Sequence, residues 1–182
     1  MRERFLAGRK AEKQYALQLR QVAKHVGDIV RGLAPDGAVA NVAQIVATLN
    51  HYGDMLQPWA QAVATRMIAD VARRDANAWA AHGKLIGQTL RKEIEQAPIG
   101  LAMQLAIQEQ AMRITSVPKE AAQRIYGLTL EGITKGTRAK EIAAEIMRSG
   151  EVSKVTAMML ARTGVSTTAT ELTKARAVHI GS

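Results

Sequence analysis

The chain has 182 residues, enough for one domain or two small ones with a real core. It is 47% hydrophobic but only 3% aromatic, so Ala, Leu, Ile, Val and Met must fill that core, an inventory suited to thin, closely packed helices rather than to sheet. The absence of cysteine excludes disulfides, a thiol nucleophile and thiolate metal sites, and no apolar run approaches the roughly 20 residues of a membrane span, so the expectation is a soluble protein made in the cytoplasm with no membrane partner.

The net charge of +9 is unevenly placed. Residues 1–24 carry seven Lys/Arg against two Glu, residues 25–110 carry seven against eight acidic residues, and residues 111–182 carry eleven against six. Two basic ends flanking a neutral middle attract nucleic acid or an acidic protein surface, most strongly at low salt; a solvated helical surface gives the same composition.

Taken in chain order, Tyr15, Leu19, Val22, Val26, Ile29 and Leu33 recur at 4-3-4-3-4 spacing in a helix predicted over 3–32. That seam fits a bundle helix with one apolar stripe, or a coiled coil that would make a homo-oligomer. Pro35, Asp36 and Gly37 end the helix, and a second is predicted over 39–49. Pro58 fits the first turn of the next helix, where its missing N–H is not required. Leu56, Trp59, Val63, Met67 and Val71 then continue the helical period, while 70–75 reads as an exposed charged face or a bend. Trp79, Ile86, Leu90 and Ile94 carry the pattern on to Pro98, and Gly83 and Gly87 share a face that would admit a neighbouring helix.

A helix over 101–112 precedes a hinge at 114–118, and shorter helices are predicted over 118–134, 137–148, 151–163 and 165–178, with Thr137 as an N-cap. The expected fold is all-α: an elongated helical bundle over residues 1–113 with a basic N-terminal helix, followed by a compact cluster of short helices over 114–182.

Chemistry is sparse. His25, His51, His82 and His179 are scattered without a second ligand at metal spacing, and Gly132, Lys135, Gly136 and Thr137 lack P-loop spacing and its preceding strand. Glu93/Glu95 diverge on a helix, and Glu141/Glu145 read as a surface ion network with Lys140 and Arg148. Ser153, Ser166 and Thr167 have no His and acid at a recognised local spacing. No catalytic residue, metal ligand or cofactor site emerges, and the expectation is a protein that is not an enzyme. Arg2, Arg4, Arg9, Lys10 and Lys13 are the candidate DNA-contacting residues. With so few aromatics for stacking on bases, that contact would be with duplex phosphates and indifferent to sequence. The apolar seam from Tyr15 to Leu33 is the candidate protein-contacting surface.

Several motifs occur in a telling order. Gly132, Gly136, Glu141 and Ile142 form Gly-x-x-x-Gly-x-x-x-x-Glu-Ile, followed by Ala161-Arg162-Thr163-Gly164. Upstream lie Tyr52 with Leu56-Gln57-Pro58-Trp59-Ala60, Ile94-Glu95-Gln96-Ala97-Pro98-Ile99-Gly100 and Ile114-Thr115-Ser116-Val117-Pro118; Met147-Arg148-Ser149-Gly150-Glu151-Val152 sits between the two C-terminal motifs. This series resembles the helical part of phage head morphogenesis proteins, the Mu F-like minor head proteins, over most of the chain. Gly164 departs from the glutamate usual in that family. The resemblance implies a minor head (minor capsid) protein of a tailed-phage virion, present at the portal vertex of the head and in the host cytoplasm during assembly. The implied partners are the portal protein, the major capsid protein or scaffold, and packaged double-stranded DNA close by. The family's polar C-terminal domain would follow at about the point where this sequence ends, and an activity residing there is not expected of these residues.

Overall fold

The structure is a computed structural model that describes residues 2–34, 41–86 and 99–180, with side chains over 9–34, 41–81 and 99–179. The described residues form six helices and no strand: α1 (Arg2–Leu33), α2 (Val42–Met55), α3 (Gln57–Ile86), α4 (Gly100–Lys135), α5 (Ala139–Met147) and α6 (Ser149–Ile180). The protein is thus all-α, as its composition requires. The tail of the third predicted helix, with Gly87, Leu90 and Ile94, lies outside the described residues, as does the Pro35–Gly37 turn.

Four long helices make the body. Gly27 of α1 meets Gly150 of α6, while Arg9 and Ala169 line one groove at the opposite end, so α1 and α6 run antiparallel. Gln110 beside Gly164 and Arg124 beside Ser149 set α4 antiparallel to α6 in the same way. With α3 packed on α1, α4 and α6, the arrangement is a four-helix bundle. Its main core runs from Ala11 and Tyr15 through Ile68 and Ile114 to Leu172. Around the C-terminal part of α1, the short α2 and α5 join α4 to enclose a second cluster of Val26, Val30, Ile45, Leu49, Ile125 and Ile146.

Local chemistry explains the punctuation. α3 starts at Gln57 with Pro58 in its first turn, as expected. α4 ends where Gly136 takes a left-handed φ of 67° and the Thr137 N–H returns to the Gly132 carbonyl at 2.8 Å, a closure that a side chain at 136 would strain. Small residues let α6 pack tightly: Ser149, Ser153, Ala157 and Ala161 recur every four residues on its buried face. A Cβ on Gly150 would lie 2.8 Å from the Gly27 Cα, so this crossing requires glycine.

Several local expectations differ from the structure. The hinge at 114–118 is absent, because α4 runs through it with Pro118 inside the helix. An internal proline costs about 3 kcal/mol in an exposed helix; here Ile114, Val117, Ala121 and Ala122 are all buried, and their packing holds the segment helical. The boundary at 113/114 therefore falls mid-helix, and the main core joins residues from both sides of it. Segments 151–163 and 165–178 are one helix, with Gly164 a contact point rather than a break. α5 has Arg138 at its N-cap position with no side-chain capping bond, so Thr137 does not cap it. The charged stretch at 70–75 is continuous helix, not a bend.

Candidate interaction groove

Among the described residues, many of the resemblance-motif positions serve packing. Gly132 is buried against Ile142, where a Cβ would collide with the Ile142 side chain, and Gly136 closes the helix between them. Leu56, Ala60, Ile114 and Val117 are core residues. Ala161 is fully buried, and the Thr163 hydroxyl donates to the Met159 carbonyl of its own helix. Gly164 lies against Gln110, whose Oε1 accepts a buried hydrogen bond from the Tyr15 hydroxyl at 3.1 Å. Burial holds the Tyr15 hydroxyl far above its ordinary pKa, so it remains a donor. A Cβ at 164 would lie 2.4 Å from the Gln110 Oε1, so a side chain there has no room unless Gln110 moves. Arg162, like Gln57, Glu141 and Glu151 of these motifs, is exposed.

Arg162 faces α1. Between the two helices lies an open groove of about 930 Å³. Its lining takes the apolar side chains Ala16 and Leu17 from α1 and Met158, Val165 and Ala169 from α6. Arg9, Lys13 and Arg20 line one side, with Glu12 among them, and Arg162 and Ser166 line the other. Leu17 and Met158 are 49% and 46% exposed, a large apolar surface for a soluble helix to leave open. Val155 and Met159, also exposed, share the outer face of α6 with Met158 and Arg162. Among the described residues, no carboxylate bridges any of the four groove cations.

The sequence-predicted DNA residues divide. Arg9 and Lys13 line the groove, Lys10 is exposed beside it, and the side chains of Arg2 and Arg4 lie outside the described residues. The predicted protein-contacting seam lies within the chain's own packing. Tyr15, Leu19, Val22 and Val26 are at most 2% exposed in the chain's own core, and Ile29 and Leu33 are half-buried against its second cluster. The periodicity correctly marks an apolar stripe, but α3, α4 and α6 cover its N-terminal half and α2, α4 and α5 its C-terminal half, so a partner would have to open the bundle to reach it.

Two further features escaped the sequence. Asp75 and Arg176, each side chain 6% exposed, form a buried ion pair at 2.7 Å, and the Thr173 hydroxyl donates to the second Asp75 oxygen at 2.8 Å. Asp75 extends the buried stripe of Ile68, Val71 and Ala72, so the helical period itself was the signal. The second is an exposed apolar stripe of Tyr126, Leu130 and Ile133 on α4, whose neighbour Lys135 is paired to Glu131.

Glu145 pairs with Arg148, as the local spacing suggested, and also accepts from Arg124, which in turn donates to Ser149 at 2.9 Å. Among the described residues, no group of three or more His, Asp or Glu side chains is placed to hold a metal ion, and no helix is long and apolar enough to cross a membrane. His25 stacks at a tilt on Tyr52 with ring centroids 4.6 Å apart. No protein-family model, curated protein or solved structure matches the chain.

Proposed function

We propose that this chain is a non-enzymatic structural and assembly protein of a tailed-phage head, a minor head component that docks at the portal vertex through the α1/α6 groove. The observation that carries the docking role is that groove, which brings together four cations with no carboxylate partner among the described residues and the exposed apolar side chains Leu17 and Met158. The phage setting is supported by the order and spacing of the resemblance motifs, whose residues have coherent packing roles here. In this reading the portal protein is the first partner, the major capsid protein or scaffold the second, and the chain acts in capsid assembly and in genome packaging or ejection.

A sequence-independent duplex DNA-binding role is the second reading, favoured by the exposed cations Arg9, Lys10, Lys13, Arg20 and Lys24 along α1. Co-sedimentation with purified cognate portal oligomer, at low and high salt, tests the first. Capture at both salts supports portal docking, because apolar burial is not screened. Absence of capture at either salt, with salt-sensitive binding to duplex DNA, replaces it with the second.

A further inference from the structure

We infer that the α1/α6 groove receives an acidic amphipathic helix of a partner protein; the inference deepens the docking role proposed above and rests on it. From Arg9 to Arg20 the groove follows eleven steps of α1, about 16 Å at the α-helical rise, or three turns. Both helices add apolar side chains to its lining, and the small ones, Ala16 and Ala169, leave room for a third helix to approach closely. A partner helix with apolar residues at i, i+3, i+4 and i+7 would cover Leu17 and Met158, which water now reaches.

Charge selects among such helices. Cations stand on both rims, Arg9, Lys13 and Arg20 on α1 and Arg162 on α6, so carboxylates on both flanks of one apolar stripe find partners. Glu12 is the single acidic side chain in the lining, and it disfavours a basic helix. A DNA backbone would satisfy the cations but leave Leu17 and Met158 uncovered or facing phosphate, so the apolar lining favours protein over nucleic acid. The stripe of Tyr126, Leu130 and Ile133 has no such cationic rim, and nothing there selects an occupant.

The test uses fluorescence anisotropy with the full chain and synthetic helices of about 14 residues, four turns at the α-helical repeat. Three probes share one Leu/Ala stripe and carry Glu, Gln or Lys flanks, and a fourth scrambles the Glu probe; a short DNA duplex is a fifth. The Glu probe should bind tightest, by about tenfold over its scramble and over the Gln probe. R20E with R162E should remove that margin while helicity and Tm stay unchanged, because neither side chain holds the fold together. Leu17→Ser should weaken the Glu probe without altering its salt dependence.

Equal binding of the scramble, no binding of the Glu probe, or a duplex that binds more tightly and loses affinity in the same variants would each overturn the inference. Portal capture by both the R20E/R162E chain and the unaltered chain would overturn it too, while leaving the head role standing. A groove that takes the Glu probe in a chain that captures no portal would instead sink the head role alone.

Discussion

α1 and α4 lie in the same bundle and both carry cations, but they dispose of them in opposite ways. All four on α4 have a carboxylate partner: Arg113 with Glu109, Lys119 with Asp54, Arg124 with Glu145 and Lys135 with Glu131. Of the six on α1 from Arg9 onward, only Arg31 has one, Asp28, among the described residues. Each pair on α4 is too exposed to contribute much to stability, but together the pairs neutralise that face. The α1 face keeps its field, beside the groove's apolar side chains. The contrast separates charge that serves the fold from charge held for something outside it.

The comparison breaks most sharply at the deepest pair. Arg176→Met should destabilise the fold by about 3–5 kcal/mol, because it leaves the buried Asp75 carboxylate without its cation. Asp75→Leu alone should cost a similar amount, and the double variant should recover most of it, since two apolar side chains leave no unpaired charge. Urea unfolding of all four proteins measures the coupling; additive losses would show that the pair does not act as a unit.

Next in size is the crossing that brings α6 against α1. Gly150→Ala should cost about 1–3 kcal/mol, because its Cβ meets Gly27 backbone and the helices must separate. Gly32→Ala on α1 is the control, with nothing within 4 Å of its Cβ, and the better helix propensity of alanine should leave stability level or raised. Equal losses at both positions would mean that helix approach does not limit packing there.

Much of the architecture was legible in the residues, and the misreadings share a physical cause. The Tyr15–Leu33 stripe gave α1 nearly to its observed ends, and Pro58 and Gly136 marked real boundaries because their chemistry is local. Pro118 and Gly164 were read as breaks by the same local rules, yet long-range packing overrides both: a buried stretch of α4 encloses one, and the other admits Gln110. The groove was half legible. Arg9 and Lys13 stood out as basic residues, but their meeting with Arg162 is set by how α6 folds back, which no local spacing encodes. Likewise the seam's periodicity says that it is buried, and only the fold says by what.

Acid titration gives the smallest effect and the finest test of the contrast between α1 and α4. Asp54 is held below its ordinary pKa of 3.8 chiefly by the hydrogen bond from Lys119, and Glu131 below 4.5 by the one from Lys135. For Asp70 burial works in the opposite direction, but hydrogen bonds from Arg74 and Arg73 outweigh it and the pKa again falls. A carboxylate whose folded pKa is depressed stabilises the fold fully above its unfolded pKa, and that contribution disappears as pH drops through the folded value. Stability should therefore decline from the ordinary Asp and Glu range downward, as the paired cations lose their partners. Asp70→Asn and Glu131→Gln should each flatten that decline. Arg20→Ala should leave its slope unchanged, since no carboxylate is bound to Arg20 to be protonated. Denaturant unfolding across the acid limb reads all three, and an acid slope that changed as much for Arg20→Ala as for Asp70→Asn would show that the α1 cations are tied into the fold after all.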